Sequence, residues 1–122
     1  MNNCFIILAA GESKRFNSKI PKPYYFYKGK PLIKHSIDKV NNYKKFHKIL
    51  VVINKKHKKF VKNLKIKKVK IIYGGQTRAE SSYKALKSIK KNNISKVFIH
   101  DAARPNFSLN LLKNLFKGLK SY

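Results

Sequence analysis

Each arginine of this chain stands among residues whose types suit phosphate chemistry. Only three of the 30 basic side chains are arginine. Arg15 closes Leu8-Ala9-Ala10-Gly11-Glu12-Ser13-Lys14-Arg15-Phe16, Arg78 lies in Gly74-Gly75-Gln76-Thr77-Arg78-Ala79-Glu80-Ser81-Ser82, and Arg104 follows His100-Asp101-Ala102-Ala103. Three of the four acidic residues, Glu12, Glu80 and Asp101, fall in the same segments. A guanidinium offers a rigid, always-charged fork that meets phosphate oxygens two at a time, which an ammonium does not. A chain that uses lysine almost everywhere and arginine only here needs that fork at these points.

The elements that must position these motifs are legible as apolar runs. Phe5–Leu8, Ile49–Ile53, Val69–Tyr73 and Lys96–Ile99 are short and β-branched, as strands covered on both faces are. Between them, Leu32, Ile33, Ser36, Ile37 and Val40 recur at helical spacing. So do Phe60, Val61 and Leu64, and then Ala79, Tyr83, Leu86 and Ile89; a last helix is expected over 109–119. Strand–helix alternation predicts a three-layer α/β/α arrangement around a mostly parallel sheet. In such sheets ligands bind beyond the carboxyl ends of the strands, where all three motifs fall.

Each motif has a local reading. Ala9, Ala10 and Gly11 lead from the first strand into a turn whose backbone N–H groups can form an anion nest. Lys14, Arg15, Lys19 and Lys22 add positive charge just after it. Gly74-Gly75 permits unusual backbone angles, while Thr77 and Glu80 have the spacing of a helix capping box and a functional reading beside it. Arg78 and Ser81 have less structural excuse. Asp101, at the end of an apolar strand, is placed either to hold Mg²⁺ beside a phosphate chain or to serve as a helix cap. His100 could act as a base, although packing is the favoured reading.

Composition narrows the class. The formal charge of +26 invites a nucleic-acid reading. The lysines are nevertheless spread through every segment alongside Asn, Ile, Tyr and Phe, the profile of an AT-rich coding sequence, and no nucleic-acid-binding motif is present. The lysines from Lys55 to Lys70 are therefore expected to matter far less than Arg15. Cys4 is the single cysteine, which excludes an intrachain disulfide, and it is expected to be a buried, inert thiol. The longest apolar stretch, Cys4 to Ala10, is too short to span a bilayer and lacks the features of a secretion signal. The 122 residues are expected to form one soluble, cytoplasmic domain.

Taken together, Ala9-Ala10-Gly11-X-X-X-Arg15-Phe16, Pro21-Lys22-X-Tyr24, Gly74-Gly75-X-Thr77-Arg78-X-Glu80-Ser81 and His100-Asp101-Ala102-Ala103-Arg104-Pro105 closely resemble the 2-C-methyl-D-erythritol 4-phosphate cytidylyltransferase family. The resemblance runs in order across essentially the whole chain. It implies a Rossmann-like nucleotidyltransferase fold of GT-A type and transfer of CMP from CTP to a sugar-alcohol phosphate, with pyrophosphate released. By the same resemblance, Arg15 and Lys22 match the catalytic cations on the triphosphate. The backbone from Ala9 through Gly11, Glu12 and Ser13 would wrap the phosphates. Ala9, Ala10, Gly75, Gln76, Arg78 and Ser81 match nucleotide-contacting positions, of which Ala9, Ala10, Gly75 and Ser81 would read the cytosine and its ribose. Asp101 matches the Mg²⁺ ligand, and Arg104, with Asp101, lies near the acceptor phosphate.

Departures from the family pattern also carry expectations. Pro23 stands where the family usually has Gln, which removes a backbone donor, and Gln76 stands where an acid is frequent. Family chains run to roughly twice this length, so the chain is expected to be the N-terminal, CTP-binding half of the domain, its fold incomplete at the C-terminus. The dimerisation arm and most of the acceptor site would lie in the other half, so a homodimer is expected only with that half present. Some members are fused to the cyclodiphosphate synthase of the same pathway. Two alternatives stand beside this reading, the relative that acts on ribitol 5-phosphate and a catalytically silent nucleotide-binding stub.

Overall fold

The computed structural model describes residues 3–11, 20–62, 64, 66, 68–90 and 93–102. Its centre is a four-stranded sheet. β1 (Asn3–Ala9) is followed, after a 3₁₀ turn at Lys22–Tyr24, by a small hairpin of β2 (Phe26–Tyr27) and β3 (Lys30–Pro31). Then come α1 (Leu32–Tyr43), β4 (Lys48–Ile53), a 3₁₀ turn at Lys55–His57, α2 (Lys58–Lys62), β5 (Lys70–Tyr73), α3 (Arg78–Ile89) and β6 (Lys96–Asp101). The main strands lie in the order β5-β4-β1-β6 and every pairing is parallel. The chain thus builds outward from β1 on one side and then crosses to the other, so the strand order reverses at β1 and β6, the place where such sheets bind ligands.

Alternation along the two central strands explains why both faces are covered. Phe5, Ile7, Ala9, Ile49, Val51 and Ile53 point to one face, where Ile33, Ile37 and Val40 of α1 and Val61 of α2 close over them. Cys4, Ile6, Leu8, Leu50 and Val52 point to the other, against Ala85 and Ile89 of α3. With both faces buried, β1 from Cys4 to Ala9 and β4 from Ile49 to Ile53 are apolar without interruption, and they read as continuous runs for that reason. The expected α/β/α layering holds.

Several expectations change in detail. β6 runs through Asp101, two residues beyond the expected run Lys96–Ile99, so the carboxylate belongs to the last residue of the strand. The hairpin was not expected; it closes through Lys28 and Gly29, both at positive φ, a turn in which Gly29 (φ +86°) is the natural occupant. The buried face of α3 is Ser81, Ala85 and Ile89, whereas Tyr83 is 65% exposed and Leu86 42% exposed. Small residues spaced four apart let α3 lie close to the sheet, and that outweighs the larger apolar residues of the expected face. Asp38, the acid outside the three motifs, is held by Lys30 (2.5 Å) and Lys34 (2.7 Å) and so has a structural role. The helix expected over 109–119 lies outside the described residues.

Candidate functional site

Register brings the motifs to one edge. Ala9 pairs with Ile53, and Ile53 pairs with Tyr73. The next residues, Ala10, Asn54 and Gly74, therefore leave the sheet side by side. The Gly74 N–H donates to the Ile53 carbonyl at 2.8 Å, and Asn54 Nδ2 donates to the Ala10 carbonyl at 3.3 Å. On the other side of β1, Leu8 pairs with Asp101, and the Ala102 N–H donates to the Leu8 carbonyl at 2.8 Å. An open cleft of about 930 Å³ rises from the row; Ala10, Asn54, Gly74 and Gly75 lie along it, with Gln76 and Glu80 above and Lys55, Lys56 and Lys84 around it.

The glycine motif is built for close approach. A Cβ on Gly74 would come within 2.5 Å of Ser81 Oγ, 2.6 Å of the Ala10 Cβ and 2.9 Å of Val52 Cγ1. One on Gly75 would strike the Glu80 side chain. Neither glycine has a positive φ among the described residues, so packing, not an unusual backbone angle, demands them. Ser81 is buried and its Oγ accepts the Gly75 N–H at 3.1 Å, which gives this serine a structural role. Thr77 caps α3, its Oγ1 accepting from the Glu80 N–H at 3.1 Å. The reciprocal bond of a capping box shifts by one residue, since Glu80 Oε2 accepts from Gln76 at 3.0 Å and not from Thr77.

Arg78, at the start of α3, crosses to the end of β6, where its Nε donates to Asp101 Oδ1 at 3.2 Å. The side chains are 63% and 42% exposed, so the pair is open to ligands and to solvent. No group of three or more His, Cys, Asp or Glu side chains with metal-binding geometry occurs among the described residues. A lone carboxylate at a strand end fits Mg²⁺ in the manner this ion usually adopts, sharing it with phosphate oxygens and water. His100 lies with its ring 6.4 Å from that of Phe5, in keeping with packing.

Lys22 is exposed on its 3₁₀ turn and is not among the cleft-lining residues. Pro23 comes next, buried, at the start of the turn, where a backbone N–H has no helical partner to lose. The substitution thus fits the turn without forfeiting a bond. Tyr24 fastens the turn to the segment after β4, its ring stacked on Phe60 at 5.2 Å and edge-on to His57 at 6.1 Å. Of the other expected residues, Ala9 is buried at the end of β1 and Gly11 is exposed, with open space where a Cβ would stand. Glu12, Ser13, Arg15 and Arg104 lie outside the described residues.

Four cleft residues escaped sequence reasoning: Asn54, Lys55, Lys56 and Lys84. Lys55 and Lys56 belong to the stretch expected to matter far less than Arg15, and they line the cleft. The available signal was their position immediately after an apolar strand, the same rule that picked out Gly11 and Gly74. Lys84 sits one helical turn beyond Glu80, with its Nζ 3.4 Å from the Gly74 carbonyl.

The motifs and the fold find their match among known proteins. Over residues 3–121 the sequence fits the family model described as IspD, 2-C-methyl-D-erythritol 4-phosphate cytidylyltransferase. The chain belongs to this family. It is 68% identical over 120 residues to a bifunctional enzyme IspD/IspF of Pelagibacter ubique, an alignment covering 98% of the chain and 32% of that protein. It is 42% identical over 114 residues to the family's cytidylyltransferase from Wigglesworthia glossinidia brevipalpis, covering 92% and 49%. Among solved structures, the IspD of Francisella tularensis superposes with a TM-score of 0.79 at 32% identity, covering all of this chain and 54% of its own. The bifunctional IspDF of Campylobacter jejuni gives 0.83 at 33% identity, covering 99% and 31%. The chain thus spans between about a third and a half of the length of these cytidylyltransferase relatives. Among the described residues no helix is long and apolar enough to cross a membrane.

Proposed function

We propose that this chain is the CTP-binding half of a cytidylyltransferase that transfers CMP from CTP to 2-C-methyl-D-erythritol 4-phosphate in isoprenoid precursor synthesis. The observation that carries the reading is the convergence of Ala10, Gly74 and Gly75 on one cleft beside the Arg78–Asp101 pair. The nucleoside lies in the cleft, against the Ala10 and Gly75 backbone, with Ser81 setting the direction of the Gly75 N–H. The triphosphate runs from there past Gly11 toward β6.

In the reaction an oxygen of the acceptor phosphate attacks the α-phosphorus of CTP. A new P–O bond forms as the bond to the oxygen bridging to the β-phosphorus breaks, and the electron pair leaves with pyrophosphate. Arg15 and Lys22 are assigned to the negative charge that grows on the α-phosphate oxygens, where fixed cations accelerate transfer. The backbone from Ala9 to Ser13 is assigned to the phosphates, and Gln76 and Arg78 to the nucleotide. Asp101 would hold a divalent cation, Mg²⁺ in this reading, whose charge when bound neutralises the triphosphate. Asp101 and Arg104 are assigned to the acceptor. The reaction belongs to the cytoplasm, and dimerisation to the half of the domain that lies outside this chain.

Pyrophosphate release from CTP tests the assignment. The chain extended to family length should release pyrophosphate when given methylerythritol phosphate and not when given ribitol 5-phosphate, and the 122 residues alone should not sustain a normal rate. Misplacing the acceptor by about 1 Å costs on the order of a hundredfold, which is why the second half matters. Release driven by ribitol 5-phosphate instead would overturn the acceptor assignment.

A further inference from the structure

Asn54 makes two bonds that do different jobs. Its Oδ1 accepts from the Lys56 N–H at 2.9 Å, capping the 3₁₀ turn at Lys55–His57. Its Nδ2 donates at 3.3 Å to the carbonyl of Ala10, a residue 44 positions away on another strand end. The first bond is local and would serve any turn. The second holds a peptide unit at the mouth of the cleft.

That peptide unit is shared. The Ala10 carbonyl and the Gly11 N–H belong to one planar, trans amide, so holding the carbonyl from one side turns the N–H to the opposite side. β1 lies between β4 and β6. A carbonyl gripped by Asn54, just past β4, therefore directs the Gly11 N–H to the β6 side, where Asp101 ends its strand. Gly11 is exposed and has open space where a side chain would stand, so a ligand can come up to this amide. We infer that Asn54 is a positioning residue for phosphate binding, which locks the Ala10–Gly11 peptide so that the Gly11 N–H faces the phosphate chain of the nucleotide. The inference rests on the proposed function for the identity of the nucleotide and on the Ala10–Asn54 geometry for the role.

The two bonds can be separated. In Asn54→Ser the hydroxyl can still accept from the Lys56 N–H but is too short to reach Ala10, and Asn54→Ala loses both. Calorimetry with CTP and with cytidine, which has no phosphate, measures the effect on each part of the ligand. In Asn54→Ser, CTP affinity should fall about tenfold, the equivalent of one well-placed hydrogen bond to a charged group, with cytidine affinity and the urea midpoint unchanged. Asn54→Ala should show the same CTP loss together with a lower urea midpoint. Unchanged CTP affinity in Asn54→Ser, or an equal loss for cytidine, would overturn the inference. Inorganic tripolyphosphate distinguishes this failure from that of the proposed function. A wild-type chain with no preference for CTP contradicts the function, yet weaker tripolyphosphate binding in Asn54→Ser would still support the role of Asn54.

Discussion

Arg78 Nε lies 3.2 Å from Asp101 Oδ1, and this contact ties the first residue of α3 to the last residue of β6. It joins two of the three arginine motifs across the end of the sheet. Both partners are substantially exposed, and an exposed ion pair contributes only about 0–1 kcal/mol. A cation bound with a triphosphate can therefore displace Arg78 from the carboxylate at small cost, leaving the guanidinium to the phosphates. Asp101→Asn should lower stability by no more than about 1 kcal/mol while removing the metal-dependent part of CTP affinity. Calorimetry with Mg²⁺ and with EDTA checks this. Equal losses under both conditions would count against Asp101 as the cation ligand.

Gly74 and Gly11 should respond in opposite ways to the same change. Gly74→Ala forces a methyl against Ser81, Ala10 and Val52, and overpacking of this kind costs roughly 1–3 kcal/mol in a urea titration. Gly11→Ala meets nothing among the described residues, and Gly11 has no positive φ, so stability should hold. Its methyl would stand where the triphosphate approaches, and CTP affinity should drop instead.

The register of α3 is open to a direct check. Ile89→Ala should destabilise by about 2–4 kcal/mol, because it empties a buried position against β1 and β4. Tyr83→Ser and Leu86→Lys, on the exposed face, should stay within about 0.5 kcal/mol of the parent. Thermal melts of the three variants separate this face from the one expected on hydrophobic spacing.

Stability should decline in alkali from about pH 9 upward. Burial pushes the Cys4 thiol up from 9.0 to about 11, although the Lys48 charge pulls the other way, and burial pushes the Tyr24 hydroxyl up from 10.0 to about 12. Both groups keep their protons longer in the folded chain than in the unfolded one. Their contribution is thus complete below the unfolded values and lost as pH rises through the folded ones. Urea midpoints measured from pH 8 upward should fall first near 9, and Cys4→Ala should remove the earliest part of that fall.

Much of the site was legible because its rule is topological. Apolar runs that end in small or acidic residues mark strand ends, and parallel order places strand ends together, so Ala10, Gly74 and Asp101 were expected at one edge and meet there. What escaped depended on contacts between distant segments. Nothing local distinguishes Asn54 from any loop asparagine until Ala10, 44 residues earlier, is brought beside it. Lys55, Lys56 and Lys84 were submerged in a lysine-rich background. Hydrophobic size points to the wrong face of α3, because the close approach of Ser81 to Gly74 favours small residues on the buried side. The bond that Ser81 accepts from the Gly75 N–H is likewise invisible until the two segments meet.

In the proposed function the cleft over Ala10, Gly74 and Gly75 selects cytosine, and the strand ends beside it hold the phosphates. Calorimetric titration of the chain with CTP, UTP, ATP and GTP in the presence of Mg²⁺ tests it most directly. CTP should bind more tightly than any of the other three. Equal affinity for all four would contradict it, leaving only the attraction of a chain with charge +26 for any polyanion.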